Sequence, residues 1–225
     1  MSDTRLDCVE IEPQTEAQSA VIWLHGLGAD GHDFEPIVPH LGVDPEHGVR
    51  FVFPHAPRRP VTINGGFVMP AWYDIRQMSL SRDVDEQGVY ESARQVEALI
   101  AREKERGIAA DRIVMAGFSQ GGAMALYVAL RHAERLAGVV ALSTYMVCDE
   151  SLETERSEAN RDVPVFQGHG SRDPMVVPEA GQLAYDRLTA LGYTVTFKAY
   201  PMGHEVHPQE ITDVGQALNA MLSRQ

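Results

Sequence analysis

The pentapeptide Gly117-Phe118-Ser119-Gln120-Gly121 constrains this chain more than any other feature of its sequence. An apolar run, Arg112–Ala116 (RIVMA), precedes it and reads as a buried strand; the segment from Gln120 to His132 follows and reads as a helix. G-x-S-x-G between a strand and a helix puts the serine on a sharp turn with its hydroxyl projecting above a sheet. Such a turn presses the chain against its neighbours, so the positions two before and two after the serine must be small; Gly122 and Ala123 extend the small surface. The helix N-terminus then aims backbone N–H groups and a positive dipole end at developing negative charge. The competing reading is a glycine-rich turn without chemistry, and partners for the serine decide between the two.

The rest of the chain supplies the sheet that such a turn requires. Ser19–Leu24 (SAVIWL), Val49–Phe53 (VRFVF), Gly138–Leu142 (GVVAL), Val163–Gln167 (VPVFQ) and Thr194–Tyr200 (TVTFKAY) read as further strands. Helices are expected over His32–Leu41, Val84–Arg106, Pro178–Leu191 and Gln209–Ser223. Continuous apolar strands alternating with helices indicate an α/β fold with a mostly parallel sheet covered on both faces. Leu6–Ile11 alternates like an antiparallel edge strand. In Val84–Arg106 the apolar positions Val89, Ala93, Val96 and Ile100 mark one face, and the charges between them a solvated one. No linker splits the 225 residues, so one domain over 1–225 is expected. Two stretches break the alternation. From His55 to about Arg82 lies a long segment with Pro57, Pro60, Gly65, Gly66, Pro70, Trp72 and Tyr73; a second, polar connection runs from Tyr145 to Arg161. Long loops in a compact domain are often functional.

Charge and cysteine content remove several function classes. There are 19 Lys+Arg against 32 Asp+Glu, a formal net charge of −13, which repels phosphate backbones and anionic lipid and makes nucleic acid an improbable main partner. No apolar run approaches the ~20 residues of a membrane span, so no stable membrane insertion is expected. The N-terminus MSDTRLDCVE has neither a signal core nor a Met-Gly start, so a cytoplasmic protein beginning here is expected. Cys8 and Cys148 stand far apart in no C-x-x-C pair, which argues against disulfide or zinc frameworks; Cys148 as a nucleophile has no surrounding motif.

A serine nucleophile needs a base, and the base an orienting carboxylate, in the chain order Ser, acid, His. Of the histidines after Ser119, His132 lies inside the following helix. His169 comes too early to leave strand-end acids behind the serine, apart from Asp149. His204, in Met202-Gly203-His204 between the last strand and last helix, can reach back over the sheet edge; His207, just before Pro208, is the runner-up. Asp162 precedes a strand at the wrong end of the sheet, and Asp186 sits inside a helix. Asp173, just past the fifth of the core strands in Gly168-His169-Gly170-Ser171-Arg172-Asp173-Pro174, is the acid of choice, because open α/β sheets place their sites outside the carboxyl ends of the strands; Asp149 is second. His204, Glu205 and His207 form H-E-x-H rather than H-E-x-x-H, so no metal is expected. After the first core strand, His25-Gly26-Leu27-Gly28-Ala29-Asp30-Gly31 lacks both the dinucleotide and the P-loop patterns. It reads instead as a turn aiming the Leu27 N–H at a tetrahedral intermediate, with the Gln120 N–H as second donor.

In combination, LHGLGADGHDF, AWYDI, GFSQGGAMAL, SRDPMVVP and MGHEV, in this order and over nearly the whole chain, resemble the acyl-protein thioesterase and small bacterial carboxylesterase (phospholipase/carboxylesterase) family of α/β-hydrolases. The resemblance implies the α/β-hydrolase fold with a minimal cap of loop insertions. It implies a cofactor-free serine hydrolase with Ser119, Asp173 and His204 as triad and Leu27 and Gln120 as oxyanion donors. It also implies Trp72, Tyr145 and Met175 lining the acyl site, a carboxylesterase, acyl-thioesterase or lysophospholipase activity on short-to-medium acyl esters or thioesters, with the motifs leaving open which of these it is, and homodimer formation as in many relatives. A histidine base predicts activity falling below roughly pH 6.5, where free imidazole protonates. The alternatives are dienelactone-hydrolase-like chemistry, for which the expected nucleophile is cysteine, and a catalytically inactive binding module on the same fold.

Overall fold

A computed structural model describes residues 5–77 and 83–223. Seven strands form one sheet in the order β1-β3-β2-β6-β7-β8-β9: β1 (Cys8–Ile11), β2 (Ser19–Leu24), β3 (Val49–Pro54), β6 (Ile113–Phe118), β7 (Gly138–Leu142), β8 (Val165–Gly170) and β9 (Val195–Tyr200). Only β1 runs antiparallel, paired to β3 with Cys8 opposite Pro54; every other neighbour pair is parallel. This is the expected α/β-hydrolase arrangement, and the edge strand lies where its alternation put it.

The two faces of the sheet bury different residues, as the period of two demands. Ala20, Ile22 and Leu24 of β2 pack with α1 (Glu86–Glu105), α2 (Gln120–Arg131), α3 (Asp149–Glu155) and α4 (Pro178–Ala190). Val21 and Trp23 face the other side, with Phe34, Phe51, Phe53 and the Val214, Leu218 and Met221 stripe of α5 (Pro208–Leu222). Residues 120–130 of α2 are all buried, because this helix is covered by the sheet beneath and by neighbouring helices around it.

Three elements depart from the expectation. Residues 32–41 form no α-helix but a 3-10 turn over Glu35–His40; Pro39, inside it, has no N–H to give. The segment after His55 is not a plain loop: β4 (Arg58–Val61) and β5 (Phe67–Pro70) pair antiparallel, with Val61 opposite Phe67. Its last residues, 78–82, lie outside the described residues. The polar connection from Tyr145 to Arg161 contains α3 and a short 3-10 turn, Glu158–Asn160.

The charged face of α1 is also less solvated than its pattern suggested. Glu103 is fully buried and meets Arg50 at 2.8 Å, Arg102 at 3.1 Å and Arg106 at 3.0 Å. These arginines also hold Glu10 and Glu12, so the cluster fastens the β1 end to α1 and β3. At its other end α1 starts on Asp85, whose carboxylate accepts the N–H groups of Gly88 (3.2 Å) and Asp74 (2.9 Å) and ties residues 71–75 to the helix.

The connection after β2 leads to β3 on one side, whereas β6 leads to β7 on the other. Loops leaving adjacent strands in opposite directions open a crevice at the carboxyl ends of β2 and β6. Both glycine-rich motifs end there.

Candidate active site

Ser119 joins β6 to α2 with φ 55° and ψ −122°, a region that a residue with a side chain rarely occupies and that costs of order 1–3 kcal/mol. The surroundings hold it there. The Ser119 N–H donates to Leu142 O at 2.8 Å, and its carbonyl accepts the Thr144 hydroxyl at 2.6 Å and the Ala123 N–H at 3.1 Å. The glycines of the motif follow from the same crowding. A Cβ on Gly121 would run into the carbonyl oxygens of Leu24 and His25 at the end of β2, and one on Gly117 would run into the Gly121 carbonyl.

The Ser119 hydroxyl lies 3.0 Å from His204 Nε2, and His204 Nδ1 lies 2.7 Å from Asp173 Oδ2. The other Asp173 oxygen accepts the N–H groups of Met175 (2.8 Å) and Val176 (2.9 Å), so the buried carboxylate is fully engaged. Asp173 follows β8 and His204 follows β9, both at carboxyl ends of strands. The Phe118 ring flanks the imidazole with centroids 4.8 Å apart. A Cβ on Gly170 would strike the Gly203 carbonyl, so only glycine lets the loop after β9 approach the loop after β8 this closely.

The rejected candidates have other occupations. His207 caps α5, its Nδ1 accepting the Gln209 N–H at 3.1 Å. Asp149 is exposed at the start of α3. Asp162 pairs with Arg135, and Asp186 bonds Gln182 within α4. The Cys148 thiol is pushed up to about 11 by burial, with Glu86 adding to the effect, which disfavours the thiolate a nucleophile needs.

On the opposite wall of the crevice, an added Cβ at Gly26 would lie 3.5 Å from Ser119 Cβ, so the turn after β2 runs beside the serine. The Gly28 N–H bonds Pro70 O at 2.9 Å, which seats the β4–β5 hairpin on this turn. Leu27 is half-buried and Gln120 is buried at the first residue of α2.

The three expected acyl-site residues differ. Met175 is 55% exposed beside the acid and is open to contact. Tyr145 is largely buried, its hydroxyl 2.7 Å from that of Tyr73, and it lines a cavity of about 740 Å³ together with Tyr90, Met146 and Leu183 and the charged Glu86, Asp149 and Arg187; none of Ser119, Asp173 and His204 lines it. Trp72 does not line the crevice. Its exposure is 0%, because its indole N–H donates to His25 O at 2.9 Å and its backbone N–H to the Gln120 carboxamide at 2.9 Å.

Two residues support the site in roles the sequence did not indicate. Thr144 holds the Ser119 carbonyl. His169, set aside as a base, sits buried behind the acid: its Nε2–H donates to Val176 O at 2.8 Å and lies 3.9 Å from Asp173 Oδ2. Burial lowers the His169 pKa, so it stays neutral and steadies the turn that presents N–H groups to Asp173. Placement at the carboxyl end of a strand, Thr144 just after β7 and His169 in the last residues of β8, was the signal available for both.

The phospholipase/carboxylesterase family model matches residues 6–222. The chain belongs to the phospholipase/carboxylesterase family. Acyl-protein thioesterase 1 of Cryptococcus neoformans is 40% identical over 94% of this chain and 95% of its own length. Acyl-protein thioesterase 1 of Gibberella zeae is 36% identical over 99% and 98%. The crystal structure of Zea mays acyl-protein thioesterase 2 superimposes with a TM-score of 0.86 at 30% identity, covering 96% of this chain and 99% of that one. Membership makes the protein a hydrolase of the serine-esterase class. Among the described residues, no helix is long and apolar enough to cross a membrane.

Proposed function

We propose that the protein hydrolyses short-to-medium acyl esters or thioesters through an acyl-enzyme on Ser119. The observation that carries this reading is the continuous pair of contacts, Ser119 Oγ to His204 Nε2 at 3.0 Å and His204 Nδ1 to Asp173 Oδ2 at 2.7 Å. His204 takes the serine proton as Oγ attacks the acyl carbonyl. Asp173 keeps the proton on Nδ1 and stabilises the imidazolium that forms. The Leu27 and Gln120 N–H groups receive the tetrahedral oxyanion. Its collapse expels the alcohol or thiol, which takes the proton from His204, and water then repeats the sequence to release the acid. Met175 and Tyr145 supply apolar contact to the acyl group.

A strained elbow serine, a buried acid with both oxygens engaged and an interposed histidine have no use in a binding module, which argues against the inactive alternative. The dienelactone-hydrolase alternative is disfavoured because serine, not cysteine, stands at the elbow. The reading is tested by hydrolysis of p-nitrophenyl esters from acetyl to octanoyl alongside matched thioesters, with Ser119→Ala as control. Turnover by the wild type and none by Ser119→Ala is the expected result. Equal turnover by both refutes it.

A further inference from the structure

We propose that the Gln120 carboxamide, the Trp72 indole and the His25 imidazole are positioning groups that hold the Leu27 and Gln120 N–H groups in fixed register with each other. The two N–H groups belong to segments far apart in sequence: the turn after β2 and the first residue of α2. An oxyanion hole works when both donors converge within about 2.7–3.1 Å of one point before the reaction begins, so their relative placement carries the stabilisation.

The structure links them through its interior. The Gln120 side chain turns away from its own backbone N–H. Its Oε1 accepts the Trp72 N–H at 2.9 Å, and its Nε2 donates to Tyr73 O at 2.8 Å. The Trp72 indole then donates to His25 O at 2.9 Å, and the Trp72 carbonyl is held by the Ser92 hydroxyl of α1. His25 completes the chain. Its Nε2 accepts the Ala56 N–H at 3.0 Å, which leaves the ring proton on Nδ1 to donate to Gly26 O at 2.7 Å. Gly26 O and Leu27 N belong to one planar trans peptide, so their C=O and N–H point in opposite directions. Fixing Gly26 O therefore aims the Leu27 N–H. Gln120, Trp72 and His25 are at most 2% exposed, so these bonds do not exchange with water. Burial lowers the His25 pKa and keeps the ring in the neutral form that this pattern uses.

Packing alone would also bury a tryptophan, so the test removes hydrogen bonds and keeps shape. Incorporating 3-benzothienylalanine at position 72 replaces the indole N–H by sulfur. Gln120→Met keeps the chain length and deletes both carboxamide bonds while leaving the backbone donor in place. For each folded variant, kcat and KM for p-nitrophenyl butyrate and the inhibition constant of a trifluoromethyl ketone, which adds to the serine as a tetrahedral oxyanion, are measured. The brace predicts a fall in kcat of roughly 10- to 100-fold, an equal loss of ketone affinity and a KM within about threefold of wild type. The double variant should lose no more than the worse single one, because the bonds act as a unit. Retention of kcat within threefold, or a fall in kcat with ketone affinity unchanged, overturns the proposal. If Gln120→Met does not fold, the position-72 replacement carries the test by the same criteria. The inference rests on the acyl-transfer reading: a wild type without Ser119-dependent turnover refutes that reading, whereas turnover that survives in the variants refutes the brace alone.

Discussion

Glu210 is a carboxylic acid that the fold keeps protonated, and replacing it by glutamine should change how stability depends on pH. It lies in the first turn of α5, fully buried, with both oxygens lacking a hydrogen-bond partner among the described residues and one of them pressed against Gly168 of β8. Burial pushes its pKa up to about 8 from 4.5; the His207 backbone N–H, near the carboxyl but outside hydrogen-bond geometry, opposes the shift, and the Asp213 charge adds to it. The folded pKa is raised, so the folded state must hold a proton that the unfolded chain releases above pH 4.5. The group costs nothing below that pH, and its cost grows until the folded pKa is reached near 8. Each pH unit in this window removes about 1.4 kcal/mol, so raising pH from 5 to 7.5 costs roughly 3 kcal/mol at this site. Glu210→Gln cannot titrate. Whatever constant offset its amide introduces, its stability relative to wild type should rise by roughly 3 kcal/mol over that interval. Urea unfolding at pH 5.0, 6.0 and 7.5, followed by the fluorescence of buried Trp23 and Trp72, measures the difference directly. A difference that stays constant to within about 0.5 kcal/mol across the three pH values refutes a protonated Glu210.

Other substitutions follow from single contacts. Gly121→Ala forces a Cβ into the Leu24 and His25 carbonyls, so the elbow must shift; ester turnover should fall at least 100-fold by the cost of misplacing a nucleophile, and turnover within tenfold of wild type would contradict the packing argument. Glu103→Ala removes the buried carboxylate shared by Arg50, Arg102 and Arg106 and leaves them only Glu10 and Glu12; it should lower stability by about 2–3 kcal/mol in urea unfolding, and a loss below about 0.5 kcal/mol would show the cluster to be solvated. Thr144→Val removes the hydroxyl that holds the Ser119 carbonyl and should cost about 1–2 kcal/mol of stability with a lowered kcat; unchanged values in both assays would remove Thr144 from the support of the elbow.

The parts of this molecule that could be read in the sequence are those where one local pattern has one structural meaning. Runs such as SAVIWL and GVVAL are too short for a helix and rich in β-branched residues, so they read as buried strands, and β2 and β7 fall on those residues. Asp173 was separable from Asp149, Asp162 and Asp186 because position relative to a strand end is itself a local property. The β4–β5 hairpin was not legible, since Pro60 and Pro70 lie within its strands and proline ordinarily argues against strand. Trp72 misled because an aromatic in an irregular segment reads the same whether it meets a ligand or a neighbouring carbonyl; only the 2.9 Å bond to His25 O tells them apart. Glu103 looked like one more solvated charge on α1, and its burial depends on Arg50, which β3 brings from a distant part of the chain.

Whether Ser119 is the activated nucleophile is read out by reaction with a fluorophosphonate followed by intact and peptide mass spectrometry. An activated Ser119 gives a single adduct mapped to Ser119, absent in Ser119→Ala and formed much more slowly in His204→Ala. A wild-type protein that takes up no probe, or takes it up at another residue, contradicts that role.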